Sequence, residues 1–191
     1  EISTGSVNAT DWRICDLDLR GGGYTGTCFF VTDTTTNLLM LGVQTQSFGC
    51  SIRMSYGDLD AGNSWYDGIF VVDCVHKDTV AGGIENIFFA GADRFCVMGT
   101  TISNSEAGGH VFRMLGGSKG LIQHSLVERS ASGAHVLKFV ATDWADAAPE
   151  YHKYTDYWVI SDTKFIGGNS QSYIAIKPVD PGRDNRIKDI I

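Results

Sequence analysis

Proline and charge are both scarce in this chain. It has three prolines in 191 residues, and Asp, Glu, Lys and Arg together make up 19%. With so little proline, long backbone ladders meet few obligatory breaks. The turns must then come from the 23 glycines and from residues that tolerate a left-handed backbone. The charge that is present is mostly acidic, net −7, which argues against nucleic acid as a partner because phosphates need a basic face. No apolar run reaches the roughly 18 residues of a membrane-spanning helix. Helical periodicity is nowhere sustained over three turns. The hairpin dipeptides Asn-Gly and Asp-Gly occur only once, at Asp67-Gly68, which speaks against an up-and-down sandwich. No Cys-x-x-Cys or Cys-x-x-His pair is present, so a zinc site is not expected.

What is present is β-forming. Apolar residues reach 43% and aromatics 11%, enough for one core at this length. Thr, Val, Ile and Phe crowd the apolar runs. The most informative feature is an echo. Gly109-His110-Val111-Phe112-Arg113-Met114 recurs 25 residues later as Ala134-His135-Val136-Leu137-Lys138-Phe139. A period in the twenties, built of short β-runs and turns, marks a solenoid.

Two families of strand-like runs follow. One reads 13–19, 39–45, 70–76, 96–102, 121–127, 158–164 and 187–191. The other reads 27–32, 51–56, 86–90, 111–115, 136–140 and 173–177. Period-two alternation in Cys15-Asp16-Leu17-Asp18-Leu19 sets apolar residues on one face, and Phe70, Val72 and Cys74 are expected to share another. The expectation is an all-β fold, a right-handed parallel β-helix of about six or seven coils, as a single domain over 1–191 with a rim insertion at 141–157. The five cysteines are Cys15, Cys28, Cys50, Cys74 and Cys96. Spacings of 22, 24 and 22 from Cys28 onward are close to one coil, so either stacked disulfides or buried free thiols fit.

The runs 116–124, 133–139 and 157–162, with 174–178 and 185–191, resemble secreted bacterial right-handed β-helix proteins of the pectin-lyase-like group. The resemblance covers roughly residues 90 to 191. It implies an extracellular location and a polysaccharide or cell-surface glycan as partner. It leaves the activity open, because the group includes lyases, hydrolases, phage tailspikes and proteins of unknown role. The absent initiator Met suggests a processed chain or one cut from something longer. The final strand-like run offers no covering element, so the chain is expected to be a segment of a longer solenoid, or copies to stack end to end as filaments or another homo-oligomer.

For chemistry, Arg113 and Lys138 occupy equivalent echo positions and should form a two-rung basic ladder suited to a sugar carboxylate, similar in spacing to the Arg and Lys of some β-helix lyases. His110 and His135 also stack in the echo, as substrate-binding or turn-capping groups. Trp144, Tyr151, Tyr154 and Tyr157 in the insertion are candidate sugar-stacking aromatics. Ca²⁺ would suit a lyase, but no Asn/Glu cluster supplies ligands, so neither a cofactor nor a metal site is assigned. Arg186-Ile187-Lys188 lies about three coils past His110 and lacks the paired aspartates of a polygalacturonase. The favoured reading is a non-catalytic structural, adhesive or glycan-binding β-helix. The alternative is a polysaccharide lyase acting on an acidic polymer.

Overall fold

The computed structural model describes residues 10–31, 35–54, 66–80, 87–90, 92–105, 110–129, 135–140, 155–167, 174–177 and 187–190. Among these residues every strand pairing is parallel and there is no helix. One sheet contains, in spatial order, β1 (Arg13–Cys15), β3 (Thr35–Leu41), β5 (Tyr66–Val72), β8 (Ala92–Met98), β11 (Gly117–Gln123), β14 (Thr155–Ser161) and β17 (Ile187–Ile190). The second sheet holds two ladders that diverge from one long strand, β4 (Gln44–Met54), which also pairs with β2 (Asp18–Val31). The N-terminal part of β4 leads to β6 (Val75–Lys77), β9 (Thr101–Ser105), β12 (Leu126–Arg129) and β15 (Lys164–Ile166). Its C-terminal part leads to β7 (Ile87–Ala90), β10 (Phe112–Leu115), β13 (Leu137–Val140) and β16 (Ile174–Lys177). The chain thus visits the first sheet, the first ladder and the second ladder in the same order, again and again.

Between the first sheet and the first ladder lies a two-residue corner that the sequence reading missed. Runs such as 39–45 and 96–102 are not single strands; each is broken at its middle. The first corner residue is left-handed on every rung: Asp16 (φ 53°), Gly42 (64°), Asp73 (49°), Gly99 (59°), His124 (49°) and Asp162 (47°). Gly, Asp and His bear this conformation at least cost. At Gly99 the requirement is doubled, since a Cβ there would land on the Asp73 carboxylate of the rung before.

After the first rung the second corner residue faces in, and where it carries a hydroxyl it repairs the ladder. Thr100 Oγ1 donates to Met98 O at 3.1 Å and accepts Cys74 N–H at 3.3 Å. Ser125 Oγ donates to Gln123 O at 2.9 Å and accepts Thr100 N–H at 3.2 Å. Thr163 Oγ1 donates to Ser161 O at 2.9 Å and accepts Ser125 N–H at 3.4 Å. Each hydroxyl therefore pairs a backbone N–H that the bend took out of the sheet, as buried polar groups require. The Cys74 thiol holds the same place one rung earlier, donating to Val72 O at 3.2 Å; burial pushes its pKa up.

The corner also corrects the expected alternation. In β5 Ile69 and Val71 are buried, while Phe70 and Val72 between and after them face out; Cys74 is buried because the bend at Asp73 reverses the phase. Likewise Cys15 and Leu17 are exposed, because Asp16 and Leu17 form a corner and not a strand. None of the five cysteines is in a disulfide, so of the two arrangements their spacing allows the thiol form is present, with Cys28, Cys50 and Cys74 buried, Cys96 half-exposed and Cys15 exposed. Cys50 lies opposite Thr27, and Cys96 lies opposite Phe70 in the other sheet. Burial holds Cys28 at a pKa of about 12.

The core runs between the sheets. Trp158 is fully buried, stacked over Gly120 where no Cβ would fit, and its indole N–H donates to Gly117 O at 3.3 Å. Phe139 meets it edge-on at 5.0 Å, and Phe95 lies 5.8 Å away. Each such aromatic contributes a large apolar area and a pairing geometry. The outward face of the first sheet is apolar as well. In register, Leu39, Phe70, Cys96, Leu121 and Val159 form one column, and Leu41, Val72 and Met98 form the next.

Candidate functional site

Along the second ladder, side chains alternate with period two. Phe29, Ile52, Met54, Phe112, Met114, Leu137 and Phe139 are buried. Their neighbours Phe30, Arg53, Arg113 and Lys138 are half-exposed on the opposite side. The register stacks these neighbours in one column: Phe30 beside Arg53, Arg53 beside Phe88, Phe88 beside Arg113, and Arg113 beside Lys138. At a rung spacing of about 4.8 Å, three cations occur within four successive rungs, with Phe88 holding the position between the two arginines. The Arg53 guanidinium lies over the Phe30 ring at 5.9 Å from its centroid, a cation–π contact that orients the planar group. The expected pairing of Arg113 with Lys138 is thus present as direct neighbours in parallel strands.

The histidine stack is present too. His110 and His135 lie ring over ring, with centroids 5.4 Å apart and an interplanar angle of 12°. His135 N–H donates to His110 Nδ1 at 3.1 Å, so neutral His110 carries its proton on Nε2. His110 is buried and caps the start of the next rung, whereas His135 is half-exposed. The pair sits three residues upstream of Arg113 and Lys138.

Tyr157 is placed elsewhere. Thr155 to Tyr157 belong to β14 and not to an insertion, and Tyr157 is exposed on the first sheet with φ 53°. It is not on the cationic column. Trp144, Tyr151 and Tyr154 lie outside the described residues. Lys188 lies opposite Asp156 in the first sheet, whereas His110 precedes β10 in the second, so the Arg-Ile-Lys run does not join the histidine. Among the described residues no group of three or more His, Cys, Asp or Glu side chains is placed to hold a metal ion.

Sequence reasoning missed Arg53. Its signal was present: Ile52-Arg53-Met54 repeats the apolar-Arg-Met pattern of Phe112-Arg113-Met114. A second unforeseen group is His76. It is fully buried, and its Nδ1 lies 2.8 Å from Thr45 Oγ1, which donates to Ser51 Oγ at 2.9 Å. Burial pushes the imidazole pKa down to about 4.

Chemically, the column can hold anions in a row. Two guanidiniums offer planar forks that fit carboxylates bidentately, and a lysine adds a mobile point charge. Comparison with family models, with curated proteins and with solved structures gives no match to this chain.

Proposed function

We propose that this is an extracellular right-handed parallel β-helix of the pectin-lyase-like kind, and that its second ladder binds an acidic polysaccharide or cell-surface glycan without cleaving it. The repeated visiting order of three parallel ladders supports the helix, and parallel crossovers are almost always right-handed. The observation that carries the binding role is the in-register column Phe30–Arg53–Phe88–Arg113–Lys138. An extended sugar polymer advances about as far per residue as one rung, so successive carboxylates can meet successive cations. Phe30 at the end of the column, under the Arg53 guanidinium, suits the apolar face of a sugar ring. The net charge of −7 makes a concentrated cationic stripe a local exception, which favours selective over general attraction.

The test is titration calorimetry against a panel of polyuronates, sulfated polymers and neutral glucans. Binding is expected for the uronates and not for the glucans, weakening with salt. Arg53→Ala, Arg113→Ala and Lys138→Ala should each reduce affinity about tenfold, since hydrogen bonds to charged groups contribute about 1.5–3 kcal/mol. Equal affinity for neutral polymers, or no effect of these changes, would sink the reading.

The adjacency of Arg113 and Lys138 also supports a second reading, a polysaccharide lyase. There the two cations would stabilise the enolate formed when a base removes the proton beside a uronate carboxylate, with half-exposed His135 as the candidate base. Formation of unsaturated uronate, followed by absorbance and abolished by Lys138→Ala, would establish it. Absence of product from every polymer that binds would remove it.

A further inference from the structure

A polar island interrupts the apolar interior of the first ladder, whatever the outer faces bind. The inward column of that ladder reads Leu19, Thr45, His76, Ile102, Val127 and Phe165 in register. Thr45 and His76 are 1% and 0% exposed, so both polar side chains must find their partners inside. Thr45 Oγ1 donates its proton to Ser51 Oγ at 2.9 Å. His76 Nδ1, 2.8 Å from that same Thr45 oxygen, is therefore the donor of the pair. Burial keeps the imidazole neutral, which leaves Nε2 a bare acceptor. That atom is buried and has no hydrogen-bond partner.

Thr79, three residues on, carries a second such atom. Its place resembles that of Thr100, Ser125 and Thr163, because it follows a left-handed residue, Asp78 (φ 54°), and is buried. At those three corners the hydroxyl donates to the carbonyl two residues back. The Thr79 hydroxyl makes no such bond, and its Oγ1 is buried without a partner. The backbone here is pinned on both flanks. Asp78 N–H donates to Ser103 O at 3.1 Å, and Val80 N–H donates to Phe48 O at 3.0 Å. Gln46 Nε2 holds Asp78 Oδ2 from outside at 2.6 Å. Neither side chain can therefore swing out to solvent without breaking this corner. We infer that the point where the two ladders leave β4 holds a resident water molecule, which accepts a hydrogen bond from Thr79 Oγ1 and donates one to His76 Nε2. Internal waters characteristically satisfy buried polar groups of this kind. The bonds then run in one direction, from Thr79 through the water to His76, then to Thr45 and Ser51. An anion does not suit the site, because Nε2 offers it no proton.

The intact protein gives the first readout. Nuclear magnetic resonance should show cross-peaks from a long-lived water to the His76 ring protons and to the Thr79 methyl. The imidazole nitrogen shifts should place the proton on Nδ1; a proton on Nε2 would overturn the assigned direction. Thr79→Val keeps the side-chain shape and separates a hydroxyl that holds water from an idle one. With the water bound, this change should abolish the His76 cross-peak and lower the folding equilibrium constant about tenfold. An idle hydroxyl would instead leave that constant unchanged or raised, because a buried unpaired group would have been removed. His76→Leu should lower it as well. The two changes together should cost less than the two single losses combined, since one water serves both groups. Fully additive losses would overturn the shared site. So would missing cross-peaks in the parent together with a Thr79→Val protein as stable as the parent. Should His76→Leu fail to fold, the parent's cross-peaks and the stability of Thr79→Val decide the matter alone.

Discussion

The outward faces of the first sheet and of the second ladder rest on the same kind of scaffold and present opposite chemistry. Both are parallel, and both bury every other residue. On one, the outward positions read Leu39, Phe70, Cys96, Leu121, Val159; on the other, Phe30, Arg53, Arg113, Lys138. Inward residues and corner hydroxyls set the stack, and outward residues are free to differ. Stability and recognition are therefore written on alternate residues of the same strands. Changes of the first kind should damage both faces together, and changes of the second kind only one.

The largest common effect should come from Phe139→Ala. Phe139 belongs to the second ladder but meets Trp158 of the first sheet edge-on at 5.0 Å, both fully buried. The cavity should cost about 3–5 kcal/mol, measured by denaturant unfolding. Loss of stability with one face's binding fully retained near the midpoint would mean that the two faces fold separately.

Acid should act on the shared interior next. The unfolded His76 imidazole takes a proton near pH 6.5, and the folded one only near 4. Between those values the unfolded chain holds more protons, so stability falls as the pH drops from about 6.5 to 4. At about 1.4 kcal/mol per pH unit, the loss approaches 3 kcal/mol. His76→Leu should remove that part of the slope while the carboxylates keep theirs. Identical slopes for the two proteins would show that His76 is not held neutral by burial.

Smaller again is the corner. Thr100→Val removes the acceptor for Cys74 N–H and a donor to Met98 O, which should cost about 1–3 kcal/mol. Thr100→Ser, which keeps the hydroxyl, should recover most of it. A neutral Thr100→Val would mean that the bend pairs its backbone some other way.

The register of the second ladder was legible because residue character repeats there. His110-Val111-Phe112-Arg113 and His135-Val136-Leu137-Lys138 share His and Val and match in kind at the other two positions, and parallel in-register strands turn a sequence echo into contact. The corners were not legible. Their left-handed residues are Asp, Gly or His, and the residue beside each is Thr or Ser at three corners and apolar or Cys at the others. A run such as Cys96-Val97-Met98-Gly99-Thr100-Thr101-Ile102 therefore reads as one strand. Carried unbroken past Asp73, the alternation sets Phe70, Val72 and Cys74 on one face, whereas the bend separates buried Cys74 from outward Phe70 and Val72. Arg53 was missed because only its two immediate neighbours, Ile52 and Met54, echo β10.

The smallest effects on stability should separate the two faces most cleanly. Lys138→Leu and Leu121→Lys exchange the outward character of the two columns, leaving Leu137, Phe139, Gly120 and Ile122 inward as before. Surface changes away from buried networks usually stay within about ±0.5 kcal/mol, so both variants should unfold close to the parent. Lys138→Leu should lose polyuronate affinity, and Leu121→Lys should keep it. A thermal shift worth more than about 2 kcal/mol in either variant would show that the outward residue is part of the scaffold. The division of labour between alternate positions would then fail.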